Sequence, residues 1–140
     1  MQNPKIKSPK EIVDLMFNND PFSLWLGIVR IKDELGKSVL KMEVRKDMLN
    51  GFGIAHGGIA YAFADSALAF ASNSHGRQAL SVETSISHTK KVKEGDVLTT
   101  QVKEISLTNK IGIYQVFVEN QDKELVAVFK GTVYRTEKYW

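Results

Sequence analysis

The sequence predicts an α+β domain in which an antiparallel sheet wraps one long buried helix. Three observations carry this. A continuous apolar segment runs from His56 to about Ser74, with Asp65 as its only charge. Runs of period-two alternation stand on both sides of it. Turn signals containing glycine, asparagine or aspartate separate those runs. Helix formers dominate the long segment and proline is absent from it. A helix that is apolar on nearly every face has to be covered. Strands grouped around a single helix give an α+β arrangement. The outer face of such a sheet is then solvated or packed on a partner.

Taken in order, Ser8-Pro9-Lys10-Glu11 has capping-box spacing, with proline at the first helical position. Ile12, Val13, Leu15 and Met16 supply an apolar face. The Asn18-Asn19-Asp20-Pro21 cluster ends this helix, so residues 1–24 read as an N-terminal helical segment. Leu26 to Lys32 reads as a strand and Glu34-Leu35-Gly36-Lys37 as a turn. Leu40, Met42 and Val44 then alternate with Lys41, Glu43 and Arg45, which makes a hairpin with one wet face. Met48 to Ala55 is a loop rich in small residues. Beyond the long helix, Leu80 to Thr89 alternates Val82, Thr84, Ile86 and His88 with Ser81, Glu83, Ser85 and Ser87. Gly95-Asp96 turns into a strand from Val97 to Leu107. Asn109-Lys110 turns into Ile111 to Val118, and Asn120-Gln121-Asp122 into Leu125 to Tyr134. No repeat, low-complexity tract or linker divides the chain, so residues 1–140 read as one domain.

Composition narrows the chemistry. Apolar residues make up 43% and charged residues 25%, the balance of a globular chain. There is no cysteine, which excludes disulfides, a thiolate nucleophile and sulfur-ligated metal. No metal site is expected. The net charge of +3 is spread among interspersed acids, so neither nucleic acid nor a membrane is the expected partner. A small excess of lysine suits an anionic small ligand such as a phosphate-bearing one. The polar, lysine-rich start does not resemble a secretory signal, and the expected location is cytoplasmic.

The chemistry concentrates where the long helix begins. Gly57 and Gly58 open it, and a helix start offers unpaired N–H groups and the positive end of the dipole. Glycine lets a ligand oxygen approach the backbone, which suits polarisation of a carbonyl. The plainer explanation is turn geometry or tight packing. Asp65 is a carboxylate among apolar residues, and leaving it buried and unpaired is expensive. It is either a general base or nucleophile or a structural group tied to a neighbour. His56 is a base, an orienter of the loop or a structural partner, and Asn50 holds water, the histidine or merely the loop. Eight residues separate Gly57 from Asp65, about 12 Å along a helix. An attacking group must stand within about 3.5 Å of its carbonyl. If Gly57 and Asp65 act on one substrate atom, they come from two chains paired across a twofold axis.

The motif Asn50-x-x-Gly53-x-x-His56-Gly57-Gly58, followed after six residues by Asp65, resembles the hotdog-fold thioesterases of the phenylacetate-degradation (PaaI-like) branch. Ser81-Val-Glu-Thr-Ser-Ile86 and the Gly95-Asp96 turn support the likeness, which spans about Leu26 to Thr136. The resemblance implies a homodimer with a continuous sheet, often stacked into a homotetramer, with sites at the dimer interface. It implies hydrolysis of an acyl-CoA thioester to a carboxylate and free CoA, with no cofactor beyond the CoA of the substrate. Gly57 N–H would polarise the carbonyl and Asp65 of the other chain would activate water or attack. Asn50 and His56 would position water, leaving group or loop. Gly58, Ser81, Lys90, Lys91, Asn109 and Lys110 are the expected substrate contacts. Two departures stand out: Lys91 occupies a position where relatives usually have proline, and His88 one where an aromatic is common. A hotdog dehydratase or hydratase and a non-catalytic acyl-CoA-binding protein are the alternatives. Tyr61, Phe63 and Phe70 either line an aromatic pocket or belong to the core.

Overall fold

A computed structural model describes residues 5–140; the first four residues of the N-terminal segment lie outside the described residues. The described residues form three α-helices and six strands. Helix α1 (Pro9–Asn18) starts as its sequence requires, with the Ser8 side chain accepting the Glu11 N–H at 3.1 Å. Ile12 and Val13 bury its inner face.

The next element corrects the sequence expectation. Asp20-Pro21 stops α1 and also starts a short helix, α2 (Pro21–Trp25), because the Asp20 carboxylate caps the Ser23 N–H and proline sits at the first turn. The first strand is therefore pushed along the chain to β1 (Val29–Glu34), rather than running from Leu26 to Lys32. It pairs with β2 (Lys37–Glu43) through a tight turn whose Gly36 has φ +67°. The buried positions of β2 fall on every second residue, Ser38, Leu40 and Met42, the last two being those of the sequence alternation.

Helix α3 (Gly57–Asn73) is followed by β3 (Arg77–His88), β4 (Val97–Leu107), β5 (Ile111–Glu119) and β6 (Leu125–Tyr139). All pairings are antiparallel, in the spatial order β1-β2-β4-β5-β6-β3. Helix α3 packs against every strand, so the sheet wraps it. Phe63 and Phe70 of α3 are fully buried, with Leu40, Leu98, Val116 and Phe129 in the same core. Close approach of α3 to β6 depends on Gly131, where a Cβ would collide with the Leu68 side chain.

Strand β3 differs from the strict alternation read from its sequence. Its register against β6 slips between Ser81, opposite Val133, and Glu83, opposite Thr132. Val82 is the extra residue of a β-bulge. The bulge puts Ser81 on the same, helix-facing side as Thr84, Ile86 and His88, where plain period two would have opposed them. Strand β3 is also an edge of the sheet. It pairs with β6 on one side only among the described residues, and Leu80 and Val82 are 67% and 63% exposed.

Candidate active site

The start of α3 is set by two loops. His56 N–H donates to Met48 O, Ala55 N–H to Val92 O, and Leu49 bridges to Ala55. The segment after β3 is thereby held against the loop before α3. Asn50 shapes that loop, its Oδ1 accepting from Phe52 N–H at 2.9 Å and from Ile54 N–H at 3.4 Å. A cleft of about 360 Å³ opens between the two, lined by Asn50, His56, Gly57, His88, Lys90 and Lys91 among others.

His56 is the N-cap of α3: its Nδ1 accepts the Gly58 N–H at 2.9 Å. With Nδ1 accepting, the neutral ring carries its proton on Nε2. Gly58 N–H is thus occupied. Gly57 N–H has no partner among the described residues and faces the cleft from the positive end of α3. Neither glycine has a left-handed φ, so turn geometry is not the reason for the pair. Close packing is. A Cβ on Gly58 would stand 3.0 Å from His56 Nδ1, and one on Gly57 would stand 3.2 Å from His88 Nε2.

Asp65 faces a second cleft, of about 300 Å³, together with Met16, Leu68, Ala69, Leu80, Ser81 and Trp140. The walls are mostly apolar. Asp65 is half-buried and makes no hydrogen bond or ion pair among the described residues. Two hydroxyls of the same helix are engaged elsewhere, Ser66 Oγ with Ser23 Oγ at 2.8 Å and Tyr61 OH with Thr84, whereas the Ser81 hydroxyl in the same cleft makes no hydrogen bond among the described residues. Burial pushes its carboxyl above the ordinary value of 3.8. A carboxylate tied down structurally would show the opposite signs: partners, and a lowered value.

The expected residues therefore fall into groups. Asn50, His56, Gly57, Lys90 and Lys91 share the cleft at the helix start, and Asp65 shares the other with Ser81. The two clefts share no lining residue. Asn109 and Lys110 lie with Arg77 and Tyr134 in a third depression, and Asn109 Oδ1 accepts from Arg77 Nη1 at 2.9 Å. Lys90 pairs with Glu124, whereas Lys91 has no carboxylate partner among the described residues. Phe63 and Phe70 are core, and the Tyr61 ring packs edge-on to Phe129 at 5.3 Å. Met16 and Trp140, which wall the Asp65 cleft, carry no signal of this in the sequence. Trp140 reaches it because its indole N–H donates to Asn73 Oδ1 at 2.9 Å.

A long helix wrapped by a six-stranded antiparallel sheet is the hotdog architecture. A family model described as the thioesterase superfamily matches residues 52–127, and the chain belongs to that superfamily. The chain is 34% identical over 120 residues to the acyl-coenzyme A thioesterase PaaI of Escherichia coli, covering 86% of each. It is 38% identical over 134 residues to a curated protein of Archaeoglobus fulgidus, covering 96% of this chain and 87% of that one. The structure of the E. coli PaaI protein, from the phenylacetic acid degradation operon, superposes with a TM-score of 0.91 at 31% identity, covering 94% and 95%. The smu.793 protein of Streptococcus mutans, solved with acetyl CoA bound, superposes with a TM-score of 0.78 at 29% identity, covering 81% and 91%.

Proposed function

We propose that this chain hydrolyses acyl-CoA thioesters at sites shared between two copies of itself. The observation that carries this is the division of the catalytic parts: the free Gly57 N–H opens into one cleft and the partnerless Asp65 into another. Ser81 and His88 stand on one face of β3, the first in the Asp65 cleft and the second beside Gly57. Antiparallel pairing of two β3 strands through their free edges brings the Asp65 cleft of one chain towards the Gly57 cleft of the other. It also covers the exposed Leu80 and Val82 edge. The assembly is a homodimer, with a dimer of dimers as its larger form.

In the assembled site the Gly57 N–H polarises the thioester carbonyl. Asp65 takes a proton from water as the water oxygen attacks the carbonyl carbon. The tetrahedral intermediate collapses, the C–S bond breaks and CoA leaves as the thiolate, which is then protonated. CoA enters as part of the substrate, and no further cofactor is invoked. Lys91 at the cleft mouth suits the CoA phosphates. Asn109 and Lys110 serve the nucleotide only if the CoA chain extends to their separate depression. The apolar walls around Met16, Leu80 and Trp140 suit an aryl-acetyl or other small to medium acyl group. The relatives that act on or bind CoA compounds support the substrate class.

The test is thiol release from phenylacetyl-, hydroxyphenylacetyl-, benzoyl-, hexanoyl- and palmitoyl-CoA. Release from at least one is expected. Silence across all five rejects hydrolysis and favours a dehydratase or a binding protein. Equilibrium sedimentation should show no monomer at micromolar concentration; a stable, active monomer rejects the shared site.

A further inference from the structure

We propose that His88 is a second donor to the thioester oxygen, forming with Gly57 N–H a two-point site for the developing oxyanion. The proposal rests on the thioesterase reading above and adds a catalytic residue to it.

His88 is the last residue of β3 and pairs with Ala127 of β6, as Ile86 pairs with Phe129. Ala127 and Phe129 are fully buried, so this side of the strand faces α3. His88 follows the same side but lies beyond the core, where its ring emerges into the cleft. Its Nε2 stands 3.2 Å, and its Cε1 3.5 Å, from the point a Gly57 Cβ would occupy. That point lies about 2.5 Å from the Gly57 nitrogen by standard backbone geometry. The two nitrogens are thus no more than about 5.7 Å apart. At a separation somewhat below that bound, one oxygen meets both nitrogens at an ordinary hydrogen-bond distance of about 2.9 Å. The space holding the imidazole against the helix start exists because residue 57 has no side chain.

The three histidines divide by occupation. His56 spends Nδ1 on the Gly58 N–H. His75 Nε2 bonds Glu104 at 2.9 Å. The His88 ring makes no hydrogen bond among the described residues, so its nitrogens are free for a guest in the cleft. The charged side chains lining the same cleft are Lys90 and Lys91, which favour an anionic guest and supply no carboxylate to divert the ring.

The chemistry balances without another reactant. Water oxygen bonds to the carbonyl carbon while its proton passes to Asp65. The carbonyl π pair moves to oxygen, where Gly57 N–H and His88 Nε2–H hold it. When that pair returns, the C–S bond breaks and its electrons leave on sulfur. His88 keeps its proton throughout.

Two variants separate a donor from a spacer. His88→Phe keeps a ring and loses the N–H; His88→Gln keeps an N–H at similar reach. Thiol release should fall about 100-fold in kcat for His88→Phe, the scale of one lost oxyanion donor. KM should change little, and His88→Gln should recover most of the rate. The carbonyl stretch of an acyl-CoA bound to the inert Asp65→Asn protein should lie below its value in water, and should rise when His88→Phe is added. His88→Leu serves the same comparison if the phenylalanine protein does not assemble. An unchanged rate in His88→Phe with wild type active, or an unmoved carbonyl stretch, overturns this proposal alone. Equal losses in the Phe and Gln variants with a raised KM also overturn it, showing a shape role. Silence of the wild type on every substrate overturns the thioesterase reading and this proposal with it.

Discussion

Replacing Asp65 by asparagine changes the chemistry of the site while leaving its shape. The carboxylate makes no hydrogen bond or ion pair among the described residues, so the amide forfeits none. A lost general base costs roughly 10²- to 10⁴-fold in rate, and at least ~100-fold is expected in thiol release. Acyl-CoA binding, measured by calorimetry, should persist. The fold should respond in the opposite direction. Burial raises the Asp65 carboxyl above 3.8, so the folded state holds this proton more tightly than the unfolded chain does. As pH rises through the interval between those two values, the unfolded state releases its proton first and stability falls. At neutral pH the wild type bears that cost, and the asparagine protein does not. The variant should therefore melt no lower than wild type at pH 7, and the difference should shrink once pH drops below the ordinary carboxylate value. Activity should show an acid limb above 3.8, because the base works only unprotonated. A rate within tenfold of wild type refutes the role of Asp65. A clearly lower melting point at pH 7 refutes the claim that the carboxylate is unpartnered.

Gly131→Ala should cost about 1–3 kcal/mol in denaturant unfolding by forcing Leu68 out of place. Gly51→Ala, with open space around it, should stay within about 0.5 kcal/mol of wild type. Lys91→Ala should raise KM about two- to fivefold at low salt with kcat unchanged, the scale of ~0.5–1 kcal/mol for one exposed charge. The effect should fade as salt is added. Lys90→Ala should do less, because Lys90 already pairs with Glu124.

The sequence made local features plain wherever burial and chain rhythm coincide. The apolar run to Ser74 became α3, and the β4 limits were read to the residue. The separation of Gly57 from Asp65 followed from helix rise alone. What stayed hidden depends on register and on distant partners. Asp20-Pro21 signals both a stop and a start, and only the docking of Ser23 on Ser66 shows that the start is used. The Val82 bulge exists only relative to β6, so no count along β3 could reveal that Ser81 faces α3. His88 was visible as an unusual residue, but its approach to Gly57 needs β3 set beside the helix start. Trp140 reaches the Asp65 cleft through Asn73, 67 positions away.

The placing of Gly57 and Asp65 in separate clefts has a genetic consequence. On the shared-site reading, a chain lacking Asp65 still presents a sound helix start, and a chain blocked at Gly57 still presents a sound carboxylate. Each alone is silent. Mixed at random, half their dimers are hybrids, and each hybrid has one complete site and one doubly broken one, restoring roughly a quarter of normal activity. Two null alleles of this gene would then complement each other.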